Sequence, residues 1–490
     1  MTKKSISVAM NQNKYPAGVF IMSFLQLLSM VGFSLILSLL VLYCTRQLGM
    51  SDDKAYALSA AYNALVFATS VFGGYLGEKY LGYRHAVILS IVLAGLGLFI
   101  MGIPSVMALY WGLAFFTIAT GIMVPCMFVL LGRIFGSNDP RRDSGFTLAY
   151  IGMNVGSFFA AALSGYLAND LGYGATFIIG GIFTFLTLIV FLIYQDRFSR
   201  KYDVKATPGK IIRSHSSKIT GVFLILVSIP LTAALLNFAN LSNILMLVLG
   251  LFSVALVIYI ARQESTHSRK KLMAFLILTI ISVAFWSLYS IAPSALTIFI
   301  ADNVNRQFFS YVIPAASYSA LNPLFIITLG PLLTLFWMSM NQRGKNFSTP
   351  GKFALGVTFM GLGYLVLILA ISTHNQAGYI SSWWIVLSYF LQTFGELFVG
   401  PIGYAMVGEL VPPKFEGLMM GIWQLATGVA GALSQYMADM TSSPQSNLPI
   451  VTDQLYSHAF ALFGGITVVV GCIAALLVPY LKRIITESDA

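Results

Sequence analysis

Long apolar runs separated by short polar stretches dominate the chain. Fourteen of them are long enough to cross a bilayer as helices. They fall near residues 17–44, 55–77, 86–105, 107–134, 145–169, 174–194, 219–238, 243–261, 272–300, 320–341, 352–373, 382–411, 414–440 and 458–481. The pattern predicts an all-α membrane protein. The first run is too long for a signal peptide and no small-residue cleavage site follows it, so it is expected to stay as a span. A polar linker at 195–218 and the basic loop "RQESTHSRKK" (262–271) set off a middle pair, giving a 6+2+6 arrangement. The expected units are a tail (1–16), a six-helix bundle (17–194), and the linker with two inserted helices and the following loop (195–271). A second six-helix bundle (272–481) and a short tail (482–490) complete the chain. Pro208, Gly209 and mixed charge make the linker a flexible or partly amphipathic connector.

Composition supports this reading. The chain has 490 residues, of which 58% are hydrophobic and 9% charged, outside the range of soluble globular proteins. With both termini cytoplasmic, only Arg46, Lys54 and Arg306 of the 28 Lys and Arg residues fall on the far side. That asymmetry is what the positive-inside rule demands of a cytoplasmic (inner) membrane protein with an even number of spans. The net charge of +11 therefore expresses topology, and nucleic acid is not an expected partner. Cys44, Cys126 and Cys472 lie in spans without metal-ligand spacing and read as small core residues. No Walker, zincin or nucleophile-elbow motif has its required context, and no polar segment is long enough for an ATPase domain. Neither enzymatic activity nor a cofactor or metal is expected.

One residue breaks the apolar pattern in a chemically pointed way. Glu396, in "SYFLQTFGELFVGPIG", stands alone deep inside a span. A charge at the bilayer centre costs about 2.5–3.5 kcal/mol on insertion scales and is tolerated when it faces a cavity or a partner. Glu396 is thus a candidate for binding a substrate cation or taking up a proton; the plainer alternative is a neutral carboxyl in a helix–helix hydrogen bond. Two six-helix halves resemble the major facilitator fold, in which substrate binds between the halves and access alternates.

Several motifs sharpen that resemblance. "GGYLGEKYLGYRHA" (73–86) resembles the loop after the second helix of the proton-dependent oligopeptide transporter (peptide transporter) family, with Glu78 and Lys79 where Asp-Arg is commoner. "RRDSGFTLAYIGMNVGSFFA" (141–160) is similar to the fifth-helix signature F-Y-x-x-I-N-x-G-S. "FWSLYSIAPSALTIF" (285–299) resembles the seventh helix, "LNPLFIITLGPLL" (321–333) the eighth, and 395–431 the tenth and eleventh almost without interruption. The resemblance covers about residues 15–480, including the inserted pair.

It implies a central cavity that grips peptide termini. Glu396 matches the glutamate that holds the peptide's amino group. Asn154 and Asn322 match hydrogen-bonding asparagines, Tyr43 and Tyr150 cavity tyrosines, and Trp286 and Trp423 tryptophans of side-chain pockets. The chain departs from the pattern where the family is charged. Its first helix reads "QLLSMVGFSL" in place of E-x-x-E-R-F-x-Y-Y-G, so Gln26 and Ser29 replace two glutamates and Met30 the arginine. Val124 stands at the family's lysine and Ser290 at a glutamate common on the seventh helix. Losing these partners together leaves no orphan charge.

The leading expectation is a monomeric secondary transporter of di- or tripeptides or peptide-like, amine-bearing compounds. The resemblance implies proton symport, although most coupling residues are replaced and Glu396 is the remaining candidate. The alternatives are a facilitator or exporter of another solute (an amino-acid conjugate, a siderophore-like chelate, a cationic drug) and a non-transporting sensor or scaffold.

Overall fold

The structure is a computed structural model that describes residues 16–135, 141–198, 215–343, 347–442 and 448–486. Lys3, Lys4, Lys14, Lys345, most of the 195–218 linker and the end of the C-terminal tail lie outside the described residues. Fourteen helices among the described residues are long and apolar enough to cross a membrane. Six form the first group: α1 (Ala17–Leu42), α2 (Asp52–Leu76), α3 (Tyr83–Met101), α4 (Val106–Ile134), α5 (Arg142–Leu171) and α6 (Tyr173–Phe198). The inserted pair is α7 (His215–Asn237) and α8 (Ala239–Gln263). The last six are α9 (Thr266–Ile291), α10 (Leu321–Gln342), α11 (Thr349–Ser372), α12 (Ser382–Leu410), α13 (Glu416–Asp439) and α14 (Pro449–Thr486). A π-helical turn, Ala292–Leu296, carries α9 onward to Asn303.

Within each group, small residues bring backbones together. A Cβ on Gly73 of α2 would run into the Gly121 carbonyl of α4, and one on Gly361 of α11 would meet the Gly464 carbonyl of α14. In lipid, where no hydrophobic force drives helices together, this close approach supplies the packing. Across the groups, α2 packs on α13, and α5 packs on α10 and the turn before it.

The connections after α1, α3, α5, α9, α11 and α13 gather at one end, here called distal; the start of α1 and the end of α14 lie at the other, proximal end. Several polar contacts close the distal seam. Arg46, in a π-helical turn after α1, pairs with Asp302 near Asn303. Ser38 and Ser319 hydroxyls meet at 2.7 Å. Within the second group, at the same end, a parallel bridge joins β1 (Val304–Asn305) to the later strand Ile380–Ser381.

Prolines sit inside α4, α7, α10, α12 and α14. Each removes a backbone donor, which neighbouring helices must offset in a membrane. Pro401 of α12 loosens the carbonyl of Leu397, next to Glu396, while the π turn follows Ser290 by one residue. Both irregularities fall where the isolated carboxylate lies.

Candidate functional site

Glu396 is buried in the middle of α12 and faces α10 across the second bundle. Its Oε2 accepts a hydrogen bond of 2.6 Å from Asn322 Nδ2. The same amide nitrogen lies 3.2 Å from Thr393 Oγ1, one turn before Glu396 on α12. A carboxylate in this setting has a donor but no paired cation: among the described residues, no Lys or Arg forms an ion pair with it. Gly400, one turn further on, leaves space that the Trp286 ring and the Glu396 stem approach together, near 4 Å from where a Cβ would stand. Trp286 is held edge-on to Phe285 and Tyr289, and its buried indole N–H has no protein partner. Tyr289 packs on Trp286 beside it, and α5 of the other bundle packs on α10, which carries Asn322. Tyr150, on α5 of the other bundle, is 40% exposed. The carboxylate therefore lies beside the seam, with an aromatic wall from α9 and with Tyr150 carried on the α5 helix that packs on α10.

The other expected residues divide into two sets. Asn154 lies one turn after Tyr150, with its amide donating to the Tyr150 carbonyl at 2.9 Å. Trp423 is buried against Phe353, in space that Gly403 leaves open. Tyr43 is fully buried at the distal end, packed on Tyr173 and Phe177, and its hydroxyl donates to the Ile103 carbonyl at 3.3 Å. The structure thus joins Glu396, Asn322 and Trp286, sets Tyr150 and Asn154 on the α5 helix that packs on α10, and places Trp423 and Tyr43 in buried packing. At the replaced positions, Gln26, Ser29 and Met30 are buried in α1, with Ser29 Oγ donating to the Gln26 carbonyl at 2.9 Å. Val124 is partly buried before Pro125, and Ser290 is buried on α9. Thr393 and Tyr289 belong to the cluster although no pattern singles them out, since hydroxyl residues are common in membrane helices. The Arg46–Asp302 pair had one signal, because Arg46 is among the three basic residues off the basic side.

Two six-helix bundles with an inserted pair, and a lone carboxylate at the seam between them, define a membrane transporter of the major facilitator fold. The chain belongs to the POT family, whose profile matches residues 84–454. It is 30% identical to dipeptide and tripeptide permease A of Citrobacter koseri, over 99% of this chain and 96% of that protein. It is 29% identical to dipeptide and tripeptide permease B of Xenorhabdus bovienii, over 96% of this chain and 97% of the relative. Among solved structures, a peptide transporter POT in complex with sulfate superposes with a TM-score of 0.83, 25% identity and 96% coverage of both chains.

Proposed function

We propose that the protein is a secondary transporter of di- and tripeptides or peptide-like amines across the cytoplasmic membrane, working by alternating access. Glu396 holds the substrate's amino group, Asn322 orients the carboxylate, and Asn154, Tyr150 and Trp286 frame the ligand. Both termini, and hence the proximal end, lie in the cytoplasm, which the distribution of Lys and Arg supports. One chain supplies every residue of the site, so the monomer is the transporting unit. The observation that carries the reading is the hydrogen-bonded but cation-free carboxylate of Glu396 between the bundles. A buried carboxylate without a counter-ion is costly, and a ligand ammonium offsets that cost. The distal seam is closed by Arg46 with Asp302 and Ser38 with Ser319, while Tyr150 and Tyr404 are exposed on the proximal side of Glu396. This arrangement suits a state that exchanges substrate with the cytoplasm.

Uptake of labelled dipeptide into proteoliposomes tests the assignment. Glu396→Gln should retain the fold and lose at least about tenfold in transport, the factor matching some 1.4 kcal/mol of substrate interaction. Undiminished transport by this variant at neutral and acidic external pH would remove Glu396 from the site.

A further inference from the structure

The inserted helices take no part in this site, yet they attach to both bundles. α7 lies along α4, and Gly221 lets it rest on Tyr80 and Leu81 at the proximal end of α2. Those are first-bundle contacts. α8 lies between the bundles, packed as closely along α2 of the first as along α13 of the second, with Gly250 against Val429 and Met246 against Gly428 on the α13 side. Just past α8, Glu264 pairs with Lys414, just before α13, at 2.7 Å. The two inserted helices are joined at the distal end through Phe238 alone.

Beside that joint lies a buried cluster of carboxamides. Asn243 of α8 is fully buried and has one amide N–H for each bundle. Its Nδ2 donates to Gln435 Oε1 of α13 at 2.7 Å and to the Ala57 carbonyl of α2 at 3.1 Å. Gln435 in turn donates to Asn240 Oδ1 at 2.5 Å. The α8–α13 attachment therefore has polar contacts at the distal start of α8 and just past its proximal end. On the α2 side the packing is as extensive, with the Ala57 bond as its polar contact and Met246 of α8 meeting Ala64 of α2 and Ala432 of α13 in a small apolar cluster.

We propose that the inserted pair is a staple holding the distal halves of the bundles together, and that Asn243 is the positioning residue that latches it. When α2 and α13 part at the distal end, α8 stays with α13 and the Asn243–Ala57 bond breaks. No water reaches that bond in the closed state to replace it, so breaking it counts against opening. Distal closure then has two locks: the Arg46–Asp302 pair on the α1–α9 side and the staple on the α2–α13 side. The inference rests on alternating access and not on the identity of the substrate.

Spin labels at Met107→Cys (start of α4) and Ser372→Cys (end of α11) would report distal separation of the two bundles. Both positions are exposed. Cys472→Ser removes the exposed native thiol, and Cys44 and Cys126 are buried. Distances are measured by pulsed electron paramagnetic resonance in lipid nanodiscs without substrate. Asn243→Ala should enlarge the long-distance population about fivefold, as expected for one lost buried hydrogen bond. Inserting Gly-Ser after Phe238 slackens the staple without altering the buried cluster and should give the same change. Asn240→Ala, whose bond does not cross the seam, should leave the distribution as in the parent. Unchanged distances in the folded Asn243→Ala and Gly-Ser variants would overturn the proposal, as would an equal shift in Asn240→Ala. Glu396→Gln should not move these distances, so loss of the peptide reading and loss of the staple give separate results.

Discussion

At the scale of single residues, the Glu396–Asn322 hydrogen bond is where stability and the proposed selectivity meet. Asn322 donates at 2.6 Å to a buried carboxylate, and hydrogen bonds to charged groups are worth about 1.5–3 kcal/mol. Asn322→Leu should therefore destabilise the protein by about that amount, whereas Glu396→Gln costs less because an amide tolerates burial better. The double variant should be more stable than Asn322→Leu alone, since no carboxylate is then left without a donor. Melting curves in detergent check the order, and additive losses would mean the two side chains act independently. A second prediction concerns the ligand's other end. With Met30 and Val124 at the family's cationic sites, a bound carboxylate meets no positive partner. Amidating a dipeptide's C-terminus should preserve or raise its thermal-shift response, and acetylating its amino group should lower it. A strong preference for the free carboxylate would show that neutral groups take over the missing cations' role. Glu396 was legible in the sequence because a lone acid in an apolar run has few structural uses. Thr393 and Tyr289 were not, because their types are ordinary in such helices and only the fold brings them to the carboxylate.

At the scale of elements, the apolar runs locate the helices well and their ends poorly. α14 begins at Pro449 rather than near 458, because Asp453 and His458 interrupt the apolar pattern without interrupting the helix. Asp453 is buried and its Oδ1 accepts from Asn303 Nδ2 at 2.9 Å, so one of its two oxygens is met by another helix. α9 likewise begins at Thr266, where Ser265 caps the helix and accepts from the Ser268 backbone N–H. Its first turns carry Arg269, Lys270 and Lys271, which the pattern assigns to a loop. The inserted pair was visible as two extra runs, but its attachment to both bundles depends on contacts between distant positions. Glycine spacing also conceals which sites matter. Gly73→Leu should cost about 1–3 kcal/mol or more, since a side chain there meets the Gly121 backbone, which cannot yield as a flexible side chain does. Gly465→Leu should be nearly neutral, with nothing within 4 Å of its Cβ position. Comparable melting temperatures for the two would refute close packing of α2 on α4.

At the scale of the whole molecule, two closely packed bundles meet at a seam that is latched distally, and the question is what drives them to rock. In charged members of such a family, as the resemblance implies, several titrating groups can exchange partners as proton and substrate move. Here Gln26, Ser29, Met30, Val124 and Ser290 cannot titrate, and of these sites only Glu396 can take up a proton. Its sole described hydrogen-bond donor is Asn322, so no second carboxylate stands ready to receive what it releases. Under the proposed function, a proton and a substrate ammonium compete for one oxygen pair. Competition favours exchange or facilitated diffusion, because symport requires both to be carried on the same half-cycle. Counterflow of labelled dipeptide against unlabelled dipeptide should accordingly be robust, and an imposed inward proton gradient should raise net uptake by less than about twofold, under 0.5 kcal/mol of driving force. The decisive measurement is uptake into proteoliposomes under a pH gradient, with and without a protonophore, while internal pH is followed. Concentrative uptake with measurable proton entry, abolished by the protonophore, would place coupling on another carboxylate. Asp302, which pairs with Arg46 across the distal seam, and Glu409, which accepts from Thr349 at 3.0 Å, would be the residues to substitute next.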